Sequence, residues 1–591
     1  MEYPIMYEVS QYRDMTSVVG GYNHQLSCSE GQFFDMKNMT SQYFPIMSPR
    51  PHRGIVKSFS NPQGVLDKEE LMWIDDGILY SDGEAINLGD ITLSKDGTKT
   101  MAKMGAYVVI MPDKVWYNAE TGQSGYMEVT NSGSDRVSFS VVDKNGAEME
   151  MHPSEYYETT EAKNGDYMVS NANGKTTLKV YSSTTSTWST VATTYLMISA
   201  VGIGKGIEKG DGIKITIDNS ISKWSKAKDI FVNDEGNGLL STNTYVYDRT
   251  DDSIVIVGLL DGNLAFSRMP IEVSRKVPQM SFITECNNRL WGCSEDGHEI
   301  YCCKLGDVKN WNCYQGLSTD SWAATIGSDG KFTGAITYLG YPMFFKEDCL
   351  IKVGVSSTGG HQTKETMCRG VQKGSDRSLA ILNETLYYKA SSCVCAYTGS
   401  LPIGISDDMG EVRYHGATSG TIGDRYYISM KDDKEVSHLF VYDSKNGIWC
   451  KEDNTDALYF CKHGDDLYYI DMEDKQMKSV RGTLLYGGET EDMIDWYVES
   501  GCIGYESPDN KYVSRVNLRI ALEVGTNVDF YIQYDSQGEW EHKFNMSGKG
   551  TKTFTIPIIP KRCDHFKYKI VGKGGCKIYS ITKTTEQGSD I

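Results

Sequence analysis

The sequence has 591 residues, with 59 basic and 79 acidic side chains and a formal net charge of −20. At about 100–200 residues per domain, this length predicts roughly three to five domains. Hydrophobic residues at 39% and charged residues at 23% are typical of a folded globular protein and exclude a disordered or fibrous one. The acidic excess argues against a protein that binds nucleic acid by neutralising phosphates.

Membrane and export signals are not expected. The longest apolar run, Ile254–Leu260, is far shorter than the roughly 20 residues that cross a bilayer, and the N-terminus lacks the basic and apolar regions of a signal peptide. The fifteen cysteines include the adjacent pair Cys302 and Cys303, and Cys393 and Cys395 one residue apart, but no Cys-x-x-Cys. We expect them to be reduced, as in a protein that folds in a cytosol.

Residues 1–55 hold no repeat and predict an extended N-terminal arm. They contain three closely spaced motifs, Gly20–Asn23, Glu30–Asn38 and Tyr43–Arg50, followed by Arg53. Within them, the side chains of Asp35 and Asn38 can bond local backbone amides. The pattern leaves two alternatives open: an arm that contacts a partner, or a first propeller strand that closes a ring.

Residues 56–130 and 273–491 repeat a hairpin of two β-type runs around a polar turn. The copies lie at 71–80, 108–117, 282–291, 336–345, 379–388, 426–442 and 459–470. Apolar alternation around Asp, Asn and Gly turns is typical of strand hairpins. Most turns are about 32–53 residues apart, which brackets the roughly 40–50 residues of a four-stranded propeller blade. The repeat therefore predicts a β-propeller of six or seven blades.

Residues 131–272 interrupt the repeat and predict an inserted β domain. This stretch contains a Ser/Thr-rich run at 182–190 and a Gly/Lys-rich run at 202–212. Either run can be the turns of a second β domain or a flexible surface stretch.

Residues 492–591 change to longer alternating strands, such as those at 513–522 and 528–534. Five or six such strands in about 100 residues predict a small C-terminal β-sandwich. Because almost no amphipathic helix pattern is visible, the predicted fold class is all-β: a propeller core with an insert and a sandwich.

Motifs of known catalytic chemistry are not found. Ser294–Gly297 and Ser328–Gly330 approach a sialidase-type turn but place Asp directly before Gly, so we interpret both as ordinary hairpin turns. Gly202–Gly206 is glycine-rich but lacks the spacing of a dinucleotide site. Walker, Gly-x-Ser-x-Gly, His-Glu-x-x-His and EF-hand patterns are also missing. We therefore expect a protein that is not an enzyme, with no catalytic, cofactor-binding or metal-binding residues and no cofactor.

The N-terminal motifs resemble the start of the packaged-DNA stabilisation proteins of tailed bacteriophages, which form the tail hub or nozzle of short-tailed phages. The propeller region resembles the same family at four further segments: Asn287–Gly292, Lys304–Trp311, Gly334–Gly340 and Gly370–Ser375. The resemblance covers about 1–130 and 275–591 and is weakest over the insert.

This resemblance implies a structural virion protein that forms a ring below the portal and adaptor, retains packaged DNA and conducts it during ejection. It implies a homohexamer in the phage tail, assembled in the bacterial host cytoplasm. The implied partners are the adaptor ring, other tail proteins and double-stranded DNA in the lumen, bound without sequence specificity and with no small-molecule substrate. An acidic channel wall would let DNA slide, but the charge alone favours an ordinary solvated surface.

The alternative function is a phage tail propeller that binds or cleaves carbohydrate at a host receptor. The aromatic content of 11% suits sugar stacking, but packed β-sheet explains it equally well. Exposed tryptophans such as Trp188 or Trp224 are the side chains that this hypothesis needs.

Overall fold

The computed structural model describes residues 11–133, 135–172, 175–217, 240–267, 270–356, 360–504 and 509–587. These residues are nearly all in β-strands and turns, which confirms the predicted all-β class. The helical elements among them are one short α-helix, α1 (Tyr156–Thr159), and two 3-10 turns, Asp376–Ser378 and Asp407–Met409. In this part of the chain no helix is long and apolar enough to cross a membrane.

The N-terminal segment does not form a separate arm. Its strands are β1 (Gln11–Thr16), β2 (Gly21–Tyr22), β3 (Gln32–Lys37), β4 (Met39–Tyr43), β5 (Ile46–Pro49) and β6 (Gly54–Ser58). The first five strands belong to the two C-terminal sheets, and β6 joins the last sheet of the propeller. The predicted boundary of an arm at residue 55 thus differs from the structure, because each short strand finds its partner far along the chain.

Two four-stranded antiparallel sheets follow. Sheet 1 contains β7 (Pro62–Asp67), β8 (Leu71–Asp75), β9 (Ile78–Ser81) and β10 (Glu84–Ala85). Sheet 2 contains β11 (Thr100–Met104), β12 (Tyr107–Met111), β13 (Val115–Asn118) and β14 (Ser124–Tyr126).

The insert forms three further sheets. The first contains, in the order of pairing, β15 (Val129–Gly133), β27 (Ile271–Arg275), β22 (Gly212–Ile217) and β23 (Asn243–Tyr245). The second contains β16 (Arg136–Val142), β21 (Tyr195–Ser199), β24 (Asp248–Thr250), β25 (Ser253–Val257) and β26 (Leu264–Ser267). The third contains β17 (Met151–Pro153), β18 (Tyr167–Ala172), β19 (Lys175–Ser182) and β20 (Thr187–Thr190). The insert also buries its own hydrophobic core, which includes Phe139, Ile198, Ile215 and Ile256.

After the insert the propeller resumes with four-stranded sheets 3 to 6. Sheet 3 contains β28 (Met280–Glu285), β29 (Leu290–Ser294), β30 (Glu299–Cys302) and β31 (Trp322–Thr325), and sheet 4 contains β32 (Gly334–Tyr338), β33 (Tyr341–Phe345), β34 (Cys349–Val355) and β35 (His361–Met367). Sheet 5 contains β36 (Ala380–Leu382), β37 (Thr385–Lys389), β38 (Val394–Tyr397) and β39 (Ile403–Gly404). Sheet 6 contains β40 (Tyr414–Ile422), β41 (Arg425–Asp432), β42 (Ser437–Asp443) and β43 (Ile448–Lys451). Sheet 7 contains β44 (Ala457–His463), β45 (Asp466–Asp471), β46 (Gln476–Ser479), the N-terminal β6, and β47 (Glu489–Thr490).

Shared cores between neighbouring sheets close these seven sheets into a ring. Strand β8 illustrates the principle, because successive side chains of a strand point to opposite faces of its sheet. Met72 and Ile74 pack against sheet 2, whereas Leu71 and Trp73 pack against sheet 7. Equivalent clusters join sheets 2 and 3, 3 and 4, 4 and 5, 5 and 6, and 6 and 7. The near-continuous apolar runs of the repeat follow from this burial on both faces.

The C-terminal strands and the N-terminal segment together form a β-sandwich. The strands are β48 (Asp495–Ser500), β49 (Lys511–Leu522), β50 (Asn527–Tyr534), β51 (Glu541–Ser547), β52 (Gly550–Ile556), β53 (Arg562–Cys563), β54 (Phe566–Lys573) and β55 (Cys576–Gln587). One sheet has the order β4-β5-β55-β49-β52, with β1 on β55 and β53 on β49. The other has the order β2-β3-β48-β54-β50-β51. The core between them continues into sheets 5 and 6 of the propeller.

Candidate functional site

A cluster of aromatic rings lies on the third sheet of the insert. Strand pairing places Tyr181 of β19 opposite Trp188 of β20, and their ring centroids are 5.2 Å apart. The ring of Tyr157, in α1, lies 4.8 Å from that of Trp188. Tyr156 stacks on His152 of β17 with centroids 3.9 Å apart. We call these five side chains the aromatic surface.

The aromatic surface is accessible. Tyr156 is 41% exposed, and the other four side chains are half-buried. The Tyr157 hydroxyl donates to the carbonyl oxygen of Tyr167 at 3.3 Å, and burial raises its pKa. The carboxylate of Glu150 lies 3.6 Å from His152 Nε2. Exposed aromatic faces beside polar acceptors can stack on the apolar face of a sugar ring while the acceptors bind its hydroxyls.

The centre of the propeller is crossed by Arg377, which lies between sheets 4 and 5. Its Nη1 donates to the carbonyl oxygen of Leu458 on sheet 7 at 3.1 Å, and its Nη2 donates to Thr98 Oγ1, just before sheet 2, at 2.8 Å. The guanidinium also lies 4.1 Å from the centroid of the Tyr459 ring. The Tyr459 hydroxyl in turn donates to the carbonyl oxygen of Gln63 on sheet 1 at 3.0 Å. Hydrogen bonds of the Arg377 and Tyr459 side chains therefore link several sheets across the centre of the propeller.

A buried charge cluster lies where the N-terminal segment meets the propeller. Arg53 contacts Glu452 and Asp453, each at 2.7 Å, and Arg50 contacts Glu491 at 2.7 Å. Both arginines are about 95% buried. Burial alone would raise the pKa of Asp453, but the charges of the two arginines outweigh it and hold that pKa well below its usual value. This charge cluster fastens the segment to sheets 6 and 7.

Two further polar residues of the N-terminal motifs connect the same domains. Asp35 accepts hydrogen bonds from Lys451 Nζ at 2.9 Å and from the Tyr497 hydroxyl at 2.6 Å, besides the backbone amide of its neighbour. Asn38 donates to the carbonyl oxygen of Asp495 at 2.8 Å and accepts from Arg50 Nε at 2.9 Å. The motifs therefore act through long-range contacts more than through the local ones that the sequence predicts.

Of the two segments interpreted as hairpin turns, Ser294–Gly297 is one, whereas Ser328–Gly330 lies in the connection between two sheets and is not a hairpin turn. Ser294–Gly297 joins β29 to β30, and Ser328–Gly330 lies between sheets 3 and 4. Gly202–Gly206 forms a turn beside the insert core. Trp188 is part of the aromatic surface, while Trp224 lies outside the described residues. Among the described residues, no three His, Cys, Asp or Glu side chains are grouped as metal ligands would be.

Of the aromatic surface, only Trp188 was predicted from the sequence. The signal that could have found it is the pair Tyr156 and Tyr157 shortly after His152, because adjacent aromatic residues outside a strand pattern have no core to fill. Their meeting with Trp188 depends on the pairing of β19 with β20, which spacing alone does not give.

Comparisons with known proteins give matches only to solved structures. No family model and no curated protein matches this chain. An exo-β-1,3-galactanase from Phanerochaete chrysosporium with galactose has 9% identity and a TM-score of 0.21, covering 52% of this chain and 96% of the galactanase. AztD from Citrobacter koseri has 8% identity and a TM-score of 0.23, covering 71% and 85%. A GH32 β-fructofuranosidase from Bombyx mori has 8% identity and a TM-score of 0.14, covering 52% and 91%.

These matches contradict one expectation from the sequence. The structural neighbours contradict the prediction that the protein is not an enzyme. Two of the three proteins just described are enzymes by name. At 8–9% identity and TM-scores near 0.2, the likeness transfers neither activity nor substrate to this chain.

Proposed function

We propose that this chain is a ring subunit of the tail nozzle or hub of a short-tailed bacteriophage. The observation that carries the proposal is the placement of the N-terminal motifs that resemble that family. They supply strands to both sheets of the sandwich, and the charge cluster of Arg50 and Arg53 joins them to the propeller. A segment that holds two domains together is constrained in its sequence by these contacts, as a shared motif in a family of such subunits requires.

In this proposal the subunit forms a homohexamer on the adaptor ring and carries later tail parts. DNA passes through the channel between subunits and not through the propeller, whose centre Arg377 crosses. The net charge of −20 weakens DNA binding to the channel wall. The proposal depends on the resemblance and on these contacts.

The test uses mature particles of a phage that encodes this chain. Mass spectrometry should find the chain in purified virions, and averaged electron micrographs should place a sixfold ring of it below the adaptor. Antibody against the insert should label the tail end of the particle. Absence of the chain from mature particles would refute the proposal, whereas a monomeric purified protein would not, because such rings can assemble on the adaptor alone.

A second candidate function, binding of carbohydrate at a receptor, is supported by the aromatic surface. The rings of Tyr156 and Tyr157 in α1 and of Trp188 in β20 form one partly exposed aromatic group on the insert. Aromatic side chains with one ring face exposed to solvent are the groups that bind sugar rings in proteins. This function is compatible with a tail subunit, since receptor contact is a task of phage tails.

A glycan array with a reducing-sugar assay tests this second function. Binding of a defined glycan by the full chain should weaken about tenfold in Trp188→Ala, because one stacking contact is lost. Tyr126→Ala is the matched control, since Tyr126 is 46% exposed on sheet 2, outside the insert. Equal binding by both variants, or no glycan bound at all, would rule out the aromatic surface as the site. Release of reducing sugar would indicate cleavage in addition to binding.

A further inference from the structure

Two cysteine thiols are in contact on sheet 5. Cys393 lies directly before β38 and Cys395 lies within it, so the two side chains lie on the same face of the strand. Their sulfur atoms are 3.5 Å apart and share a hydrogen bond. All fifteen cysteines are free in the structure. The one-residue spacing seen in the sequence thus brings together two thiols in reduced form.

Positive charge and hydrogen-bond donors surround the Cys393 sulfur. Arg369 Nη1 lies 3.5 Å and Ser392 Oγ 3.7 Å from Cys393 Sγ. The hydrogen bond with Cys395 lowers the pKa of Cys393, and Ser392 and Arg369 act in the same direction. The same bond raises the pKa of Cys395. Arg369 and Ser392 lie beside the Cys393 sulfur, so Cys393 is the thiol of the pair that ionises more readily.

A second cation supports the turn that carries Cys393. Lys389 Nζ contacts the carbonyl oxygens of Ala390 and Ser391 at 2.5 and 3.5 Å, and burial lowers its pKa to about 8. The acidic side chain of Glu347 lies 3.5 Å from Ser391 Oγ, on the other side of the turn.

The thiol is accessible from a cavity. Cys393 is half-buried and lines a cavity of about 340 Å³ together with Lys389, Glu411 and Arg413. This volume is within the range of small-molecule sites. Arg413 lines the cavity, and Arg369 lies beside the Cys393 sulfur. Positive charge at the cavity wall and at the thiol suits a ligand that carries carboxylates. Reactive cysteines in proteins occur in such partly exposed, electropositive surroundings, whereas buried structural cysteines are inert.

We propose that Cys393 and Cys395 form a dithiol site that reduces small anionic disulfides, with Cys393 as the attacking thiolate and Cys395 as the resolving thiol. In the first step the Cys393 thiolate attacks one sulfur of the disulfide, forms a mixed disulfide and releases one thiolate. In the second step Cys395 loses its proton, attacks the Cys393 sulfur and releases the second thiolate. One disulfide is reduced to two thiols, and the protein dithiol is oxidised to a disulfide.

Oxidised glutathione is the probe, because it is a small disulfide with several carboxylates. The full chain is incubated with it, quenched with acid and analysed by peptide mass spectrometry. The wild-type chain should form the Cys393–Cys395 disulfide and retain no glutathione. Cys395→Ser should retain one glutathione on Cys393, and Cys393→Ser should remain unmodified at this site. Cys368→Ser is the matched control, because Cys368 is a half-buried thiol whose pKa burial raises, and it should behave as wild type.

A second measurement requires no cysteine variant. The rate of alkylation by iodoacetamide is followed for each cysteine at about pH 6.5, two units below the usual thiol pKa of about 8.5. Cys393 should react at least about tenfold faster than Cys461, whose pKa burial raises to about 12, and Arg369→Gln should slow it. Equal rates for the two cysteines, or Cys395→Ser without bound glutathione, would overturn the proposal.

Discussion

Arg50 and Arg53 are buried charges whose cost is offset by carboxylates placed around them. Taking a charge out of water costs several kcal/mol unless a partner of opposite sign and good geometry lies beside it. Arg53 has two partners at 2.7 Å, and its guanidinium also lies 5.2 Å from the centroid of the Tyr469 ring. Removing one arginine would leave Glu452 and Asp453 buried with too little positive charge.

We predict that Arg53→Met lowers the free energy of unfolding by about 3–5 kcal/mol, the usual cost of breaking a buried ion pair from one side. The measurement is urea denaturation of the full chain followed by tryptophan fluorescence. Arg249→Met is the control, because Arg249 pairs with Asp251 at the surface, and its loss should cost less than about 1 kcal/mol. Equal effects of the two substitutions would show that the charge cluster does not stabilise the fold.

We predict that acid weakens the same region. The folded-state pKa values of Asp453 and Glu491 are lowered by the arginines in spite of burial, so the stability that they contribute is present above the unfolded pKa and is lost as pH falls toward the folded pKa. The free energy of unfolding should therefore decrease steadily from about pH 4 to about pH 2. In Arg53→Met the free energy of unfolding should depend less steeply on pH, because one cation that lowers the pKa of Asp453 is gone. An unchanged slope would contradict this.

At the scale of elements, the insert is fastened to sheet 3 by a close backbone contact. Asn310 is fully buried, accepts from the Gly212 amide at 3.1 Å and donates to the carbonyl oxygen of Gly210 at 2.7 Å. A Cβ at Gly212 would overlap the carbonyl group of Asn312. Glycine is thus needed here for space, since its φ is not in the left-handed region.

We predict that Gly212→Ala loosens the contact between insert and propeller. The extra methyl group forces the backbone at Asn312 to move, at a cost of about 1–3 kcal/mol. Limited proteolysis should then cut near residues 304–313 faster than in wild type. Gly327→Ala is the control, because a Cβ there meets nothing within 4 Å. Identical digestion patterns for both variants would refute the prediction.

The sequence predicted elements whose partners are close along the chain and failed where the partners are distant. Hairpins such as β8 and β9 are visible because turn and alternation lie within a few residues. The pairing of β1 with β55 and of β6 with β46 joins residues at opposite ends of the sequence, and no local pattern encodes it. The aromatic surface was only partly predicted for the same reason, since Tyr157 and Trp188 meet through the fold of the insert.

At the scale of the whole molecule, the insert has the properties of a separable domain. Its first and last strands, β15 and β27, pair antiparallel with Val129 opposite Arg275 and Asn131 opposite Val273. The chain therefore leaves and re-enters the propeller at neighbouring points. The insert core is made entirely of residues between 129 and 273.

We predict that replacing residues 132–272 by a short Gly/Ser linker leaves the propeller and sandwich folded. The insert expressed alone as residues 129–275 should also fold, because this piece keeps the pairing of β15 with β27 and its own core. Circular dichroism and thermal unfolding of the two pieces are the measurements. A cooperative transition in each piece is expected. Failure of the shortened chain to give a soluble, cooperatively unfolding protein would contradict the prediction, and the Gly212→Ala variant serves as a comparison with an intact but loosened insert.

The closure of sheet 7 by β6 has a consequence for the order of synthesis. A ribosome releases β6 before any other propeller strand, yet its partners β46 and β47 are the last two propeller strands to emerge. The ring therefore stays open throughout translation of the propeller, with exposed strand edges at both ends of the unfinished array. Strand β1 likewise stays unpaired until its partner β55 has been made. Assembly of this fold is completed only when strands made early in translation pair with strands made late.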